Sequence, residues 1–272
     1  MSEYLPVDTI ICGDNCDVLV TLPHESVDLV VTSPPYDDLR TYGGHAWDFY
    51  GVAWLLKRVL KPGGVIVWVV SDATINGSET GTSFEQVLHF KRLGLNLHDT
   101  MIYHRTPKFP DTNRYYQASE YMFVLSKGAP KTVNLIADRP NSCAGKSAAQ
   151  SERERDGTLR ESWATRTGAL VKELGVRWNV WDIANGFNKS SKDLIAFKHP
   201  AIFPEALARD HILSWSNEGD VVLDPFNGSG TTTKMARVLG RRFIGIESNP
   251  DYCVIANKRL SQKIIEFEQT DA

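Results

Sequence analysis

The sequence predicts a doubly wound α/β domain with a mostly parallel sheet and one inserted region. Three observations carry this expectation. Short apolar, β-branched runs alternate with stretches of helical period through residues 8–128, and again from 197 toward the C-terminus. That is the pattern of strands joined by crossover helices. Two of the strands end in turns rich in proline or glycine, "TSPPY" at 32–36 and "DPFNGSGTT" at 224–232, and ligands of open α/β sheets gather at strand carboxyl ends. Between the two regular blocks, residues 129–196 lose the period and become polar.

Each element follows from local pattern. "DTIIC" (8–12) and "VDLVVTS" (27–33) are short β-branched runs and read as strands. "GVAWLLKRVLKPGG" (51–64) carries apolar residues at helical spacing and closes on Pro-Gly-Gly, a helix stop. "VIVWVVS" (65–71) is continuously apolar, as expected of a strand buried on both faces. "SFEQVLHFKRLGL" (83–95) reads as an amphipathic helix, followed by strands at "HDTMIYHR" (98–105) and "EYMFVLSKG" (120–128). After the irregular stretch, "PAIFPEALARDHILSWS" (200–216) is helical, "DVVLDPF" (220–226) a strand and "TTTKMARVLGRR" (231–242) a helix. "FIGIES" (243–248) is the last strand, and residues 249–269 form a helix opened by Asn-Pro.

Composition narrows the class. The chain has 272 residues and a formal net charge of −3, an ordinary globular balance that argues mildly against a large polyanionic partner. No apolar run reaches membrane length, and "MSEYLPVDTI" lacks a signal-peptide pattern. Cys12, Cys16, Cys143 and Cys253 are scattered, without a second Cys or His pair at zinc spacing. They read as reduced thiols of a cytoplasmic protein, with no metal site.

The two turns carry the chemistry. Proline fixes φ and lacks an N–H, and it pushes the preceding residue out of the helical region. Ser33-Pro34-Pro35-Tyr36 is therefore a stiff, extended segment at a strand end. It presents a hydroxyl, a fixed carbonyl and an aromatic face. In the second turn a buried strand ends at Asp224, and Gly228 and Gly230 lead into a helix. The next strand ends at Glu247, about the right distance on to meet ribose hydroxyls. Thr233 stands where a dinucleotide fingerprint would place its third glycine, and no Gly-Lys-Ser/Thr phosphate loop follows. The turn suits a ribose-bearing ligand without a pyrophosphate, which S-adenosylmethionine fits better than NAD or ATP.

Together the motifs resemble those of the DNA amino-methyltransferases. Ser33-Pro34-Pro35-Tyr36 is similar to their catalytic D/N/S-P-P-Y/F/W, and Asp224-Pro225-Phe226-Asn227-Gly228-Ser229-Gly230-Thr231-Thr232 to their methionine-binding D-P-F-x-G-S-G-T-T. The order, catalytic motif first, resembles the β class. "HPAIFPEAL" (199–207) looks like the segment covering the methionine part of the ligand, and "IICGDNCDVL" (10–19) like the segment whose acid lies near the adenine. The resemblance implies a Rossmann-like catalytic domain over 1–128 and 197–272, with a target recognition region at 129–196. Its cofactor would be S-adenosyl-L-methionine. The implied cofactor residues are Asp14, Ser33, His199, Pro200, Phe203, Pro204, Asp224, Pro225, Phe226, Gly228, Ser229, Gly230, Thr231, Glu247 and Ser248. For Asp14 a helix-capping role stays open beside adenine contact.

The implied reaction explains the stiff segment. An exocyclic amino nitrogen is a poor nucleophile because its lone pair is delocalised into the ring. Holding it in line with the methyl donor supplies much of the acceleration. Acceptors aimed at the amino hydrogens localise the lone pair and stabilise developing charge. Ser33 Oγ and the Pro34 carbonyl are the candidate acceptors, Pro35 adds stiffness, and Tyr36 would stack on a base flipped out of the duplex. Double-stranded DNA is thus the implied partner. Residues 131–198 hold twelve Lys/Arg against eight Asp/Glu, a locally basic region. Lys146, Arg153, Arg155, Arg160 and Arg166, with Arg105, Lys108 and Arg114 outside it, are candidate DNA contacts; solvated, paired charges are the alternative.

Serine at 33 leans toward cytosine N4 over adenine N6, since Ser-Pro-Pro is commoner among N4 enzymes of the family. A homodimer and a cognate restriction endonuclease are further implied partners. A catalytically silent DNA-binding regulator of the same fold, or methylation of RNA or a protein amide, remain alternatives. The reversed motif order disfavours the latter.

Overall fold

The computed structural model describes residues 4–36, 47–106, 113–148, 151–161 and 163–262. Its main unit contains an eight-stranded sheet. The strands are β1 (Thr9–Cys12), β2 (Val27–Thr32), β3 (Leu60–Val70), β4 (Asn96–His104), β5 (Ser119–Ser126), β6 (Val180–Asp182), β7 (Val221–Asp224) and β8 (Arg242–Glu247). The spatial order is β1-β8-β7-β2-β3-β5-β4-β6. Only β5 runs antiparallel to its neighbours; the other pairs are parallel. The mostly parallel, Rossmann-like architecture matches the expectation.

Helices α1 (Asn15–Thr21), α2 (Phe49–Val59), α3 (Thr82–Arg92), α4 (Glu205–Trp215), α5 (Thr231–Val238) and α6 (Pro250–Ser261) flank the sheet. Strand β3 shows why its sequence is continuously apolar. Ile66, Trp68 and Val70 pack into one core with Leu19, Leu56 and Phe90 from α1, α2 and α3. Val65, Val67 and Val69 pack into a second with Leu207, Ile212 and Met235 from α4 and α5. The period-two alternation of a strand feeds a core on each face.

Several boundaries differ from the sequence expectation: the helix read at 200–216 spans Glu205–Trp215, the one at 231–242 ends at Val238, and the part of the last helix read at 263–269 lies outside the described residues. Helix α2 stops at Val59, five residues early, and Leu60 opens β3. Pro62 cannot continue a helix, and Gly63 takes φ +78°. Helix α1 was not foreseen, being only seven residues long; Asp14 caps it, its Oδ1 accepting from the Cys16 and Asp17 N–H groups at 2.8 and 3.2 Å.

Residues Leu135–Trp178 form a second compact unit. It contains an antiparallel hairpin, Ser151–Arg153 with Leu159–Glu161, a ladder of Arg139–Pro140 with Leu174–Gly175 and a short helix, Trp163–Thr167. The Arg139 guanidinium lies 5.1 Å from the Trp178 ring centroid, and Arg177 pairs with Asp138. Residues 129–134 and 179–196, read from sequence as part of the insertion, group with the main unit. Val180–Asp182 extends its sheet alongside β4.

Among the described residues no helix is long and apolar enough to cross a membrane, and no cluster of three His, Cys, Asp or Glu could hold a metal ion. All four cysteines are free thiols.

Candidate active site

The carboxyl ends of β1, β2, β7 and β8 open onto a cavity of about 1160 Å³ in the main unit. Strands β2 and β7 are neighbours, with Leu29 and Val30 beside Val222 and Leu223. Their ends are tied together twice. Thr32 Oγ1 donates to Asp224 Oδ1 at 2.7 Å, and Thr232 Oγ1 donates to the Val31 carbonyl at 3.1 Å. The Asp224 carboxylate also accepts from the Phe226 N–H at 3.1 Å. Burial pushes its pKa up to about 6, against the opposing hydrogen bonds of Thr32, Phe226 and Thr232; the nearby Glu247 charge adds to the rise.

The glycines of the turn are required by geometry. Gly228 has φ +50°, and a Cβ there would lie 3.0 Å from His199 Nε2; Gly230 has φ +80°, and a Cβ would lie 2.9 Å from Ala256 Cβ. Thr233, in the place of a third glycine, is buried with Oγ1 2.9 Å from Asn227 Oδ1 and 3.2 Å from the Gly230 carbonyl. A hydroxyl braces this turn where a dinucleotide fold uses close glycine packing. Behind it, the fully buried Arg259 donates to the Ser229 carbonyl at 2.8 Å and to Thr231 Oγ1 at 3.1 Å. Arg259 also pairs with Glu205 at 2.6 Å and Asp193 at 3.1 Å, carboxylates shared with Lys234.

Glu247 ends β8. Its Oε2 accepts from the Gly228 N–H and its Oε1 from the Asn249 N–H, both at 2.8 Å. Burial raises its pKa, while these backbone donors oppose the rise. A carboxylate has about four acceptor positions, so these two bonds leave acceptor capacity for ribose hydroxyls.

Ser33, Pro34, Pro35 and Tyr36 border the same cavity. The Ser33 Oγ lies 2.9 Å from the Tyr36 hydroxyl, which donates to Glu120 Oε2 at 2.9 Å. Glu120 Oε1 in turn lies 2.9 Å from Arg105 Nε, a close ion contact without hydrogen-bond alignment. The ring of Tyr36 packs against the first core.

His199, Pro200, Phe203 and Pro204 line the cavity, as do Asp14, Pro225, Phe226, Gly228, Ser229, Thr231 and Ser248. His199 packs edge-on against Tyr252, ring centroids 4.4 Å apart. Gly230 acts from behind, through its backbone conformation. Sequence reasoning missed several lining residues, among them Asn227, Tyr103 and Glu120. Asn227 stands inside the glycine motif and was legible there. Tyr103 and Glu120 face each other across β4 and β5, a pairing no local pattern announces. The Tyr103 hydroxyl and Asn227 Nδ2 are buried without a hydrogen-bond partner among the described residues. Burial and the Glu120 charge raise the Tyr103 pKa.

The candidate DNA contacts divide. Arg105 is a correction: it is buried at the cavity wall and paired with Glu120, not displayed to phosphates. Desolvating a guanidinium requires a partner, and β5 supplies one. Arg114 donates to the Gly77 carbonyl and reaches Glu79 at 3.5 Å. Lys146, Arg153, Arg155, Arg160 and Arg166 are exposed on the second unit. Of these, Arg160 pairs with Glu154 at 2.9 Å and Arg153 donates to the Gly157 carbonyl at 3.1 Å. Lys108 lies outside the described residues.

The N6/N4 DNA methylase family model matches residues 27–258. The chain belongs to that family. It is 58% identical over 243 residues to the orphan methyltransferase M.BamHII of Bacillus amyloliquefaciens, covering 88% of this chain and 91% of the relative. It is 29% identical to the type II methyltransferase M.HpaI of Haemophilus parainfluenzae, over 96% of this chain and 77% of that one. Among solved structures, the Thermus thermophilus protein TTHA0409, complexed with S-adenosyl-L-methionine, superposes with TM-score 0.63 at 26% identity, covering 95% of each chain. The cytosine-N4-specific PvuII DNA methyltransferase shares the fold, with TM-score 0.68 at 22% identity over 96% of this chain and 89% of that one.

The chain is therefore a DNA amino-methyltransferase, and its cofactor is S-adenosyl-L-methionine. The cavity suits that molecule on its own evidence. Asn227, whose Nδ2 has no hydrogen-bond partner among the described residues, borders it, Glu247 keeps acceptor capacity, and Gly228 leaves beside His199 the room a Cβ would fill.

Proposed function

We propose that the enzyme methylates N4 of cytosine in double-stranded DNA. The observation that carries this reading is Ser33, a neutral hydroxyl at the cavity where the Asp-Pro-Pro form commoner among adenine-N6 enzymes of the family would place a carboxylate, beside the carbonyl fixed by Pro34 and Pro35. S-adenosyl-L-methionine supplies the methyl group when bound. The chain's own work is to hold the amino nitrogen in line. Ser33 Oγ and the Pro34 carbonyl accept the two amino hydrogens, which localises the lone pair and stabilises charge as it develops. Tyr36 offers its ring to a flipped base. On the cofactor side, Glu247 takes ribose hydroxyls, while Asp224 and the turn from Pro225 to Thr231 hold the methionine end with His199, Pro200, Phe203 and Pro204. Asp14 and Ser248 close the adenine end.

Within residues 129–196, the exposed cations Lys146, Arg153, Arg155, Arg160 and Arg166 support the second unit, Leu135–Trp178, as the target recognition region. Replacing any two of them by glutamine then weakens DNA binding and flattens its salt dependence. The orphan relative supports a solitary enzyme over one paired with an endonuclease. A homodimer is proposed from the β-class resemblance, and sedimentation showing only monomer would overturn it.

The deciding experiment incubates the protein with mixed-sequence duplex DNA and labelled cofactor, then analyses nucleosides by mass spectrometry, with Ser33→Ala alongside. Label in N4-methylcytosine, lost or reduced in Ser33→Ala, supports the reading. Label in N6-methyladenine refutes the choice of base and keeps the mechanism. Absence of any methylated base, with cofactor bound, favours the silent regulator.

A further inference from the structure

We infer that Glu120 is a positioning residue that acts through Tyr36 to turn the lone pairs of Ser33 toward the substrate amino group. The inference rests on the amino-methyltransfer reading but not on which base is methylated.

One chain of hydrogen bonds constrains where its protons lie. Ser33 Oγ, Tyr36 Oη and Glu120 Oε2 are linked in series at 2.9 and 2.9 Å. A carboxylate can only accept. The Tyr36 hydroxyl owns one proton, and it is given to Glu120. The Tyr36 oxygen must therefore accept at its contact with Ser33, so the Ser33 proton is committed to Tyr36. What remains on Ser33 is acceptor capacity, the polarity that two amino hydrogens need.

A serine hydroxyl without such a partner rotates freely and presents either its proton or its lone pairs. Presenting the proton would oppose the substrate amino group, so fixing the rotor beforehand removes an unproductive state. Arg105 completes the device. Its guanidinium, 9% exposed, sits beside the Glu120 carboxylate, 17% exposed, as the counter-charge that a largely buried anion requires. The strand pairing explains the placement. Glu120 and Ser119 open β5 opposite Tyr103 and His104 of β4, and Arg105 follows directly, its N–H donating to the Ala118 carbonyl at 2.8 Å.

The test measures single-turnover methylation of duplex DNA with Tyr36→Phe, Glu120→Gln and the double variant, alongside cofactor and DNA dissociation constants. Wild-type activity in the same assay shows separately that the underlying amino-methyltransfer reading holds. Tyr36→Phe keeps the ring and removes only the link. Glu120→Gln lets an amide N–H face Tyr36, which permits the reversed polarity. Each is expected to lower the single-turnover rate about tenfold, with both dissociation constants within about twofold of wild type. Because the residues act as one unit, the double variant falls no further than the slower single variant. A Tyr36→Phe enzyme at the wild-type rate overturns the proposal. So does a double variant whose loss is the product of the two single losses. Should Glu120→Gln unfold through loss of the Arg105 contact, Tyr36→Phe alone still decides, since it leaves that ion pair in place.

Discussion

Asp224→Asn separates the electrostatic cost of the cofactor site from its packing. The carboxyl is buried at the end of β7 with a pKa raised to about 6, against about 3.9 in an unfolded chain. A raised folded pKa means that the native state binds the extra proton. The stability this contributes is fully present below about pH 4 and is lost as pH rises through about 6. Linkage gives the size. Between pH 5 and pH 8 the wild type loses about 1.4 kcal/mol from this group alone. Asparagine is nearly isosteric and does not titrate, so its stability lacks that slope. Urea denaturation of the cofactor-free protein at pH 5 and pH 8 measures the effect as a double difference, in which every other titrating group and the fixed packing of the amide cancel. The variant should gain about 1.4 kcal/mol relative to wild type on going from pH 5 to pH 8. A gain under about 0.5 kcal/mol would mean that the Thr32 and backbone hydrogen bonds outweigh burial, and that Asp224 is ionised at little cost.

Three further changes probe the frame around the site. Arg259→Leu leaves Asp193 and Glu205 sharing only Lys234 and strips the Ser229 carbonyl of its donor. It should cost about 3–5 kcal/mol in denaturant unfolding, and a loss below about 1 kcal/mol would show that the cluster is solvated. Gly230→Ala forces a side chain into the left-handed region and against Ala256. A cost of about 2 kcal/mol or more is expected, a fall of at least about 4 °C in melting temperature. Tyr103→Phe removes a buried hydroxyl that has no partner among the described residues. It should raise the melting temperature by about 2–4 °C; an unchanged melting temperature would mean that the hydroxyl is satisfied by water.

Much of the site was written in local pattern. Prolines 34 and 35 dictate a stiff strand end wherever the chain goes, and the spacing from Gly228 to Glu247 follows from one helix and one strand between them. The strands from β1 to β8 were legible where apolar β-branched runs were long enough to show a period. Helix α1, with seven residues, was not, and β6 was not, since three residues carry no period at all. Arg259 lies in a helix rich in polar residues, where sequence alone places a cation on the solvent face. Its burial depends on carboxylates 54 and 66 residues away. Arg105 was misplaced for the same reason, read as a surface cation although its partner Glu120 waits on the next strand.

The sequence by itself determined the sheet class, the two turns, their order and the chemistry they imply, because proline, glycine and hydrophobic period act over a few neighbouring residues. Only the tertiary structure decided which charges are buried and which hydroxyls and carboxylates are linked. Those depend on partners brought together across strands, as when 84 residues of chain separate Tyr36 from Glu120, and on the desolvation that makes such partners obligatory.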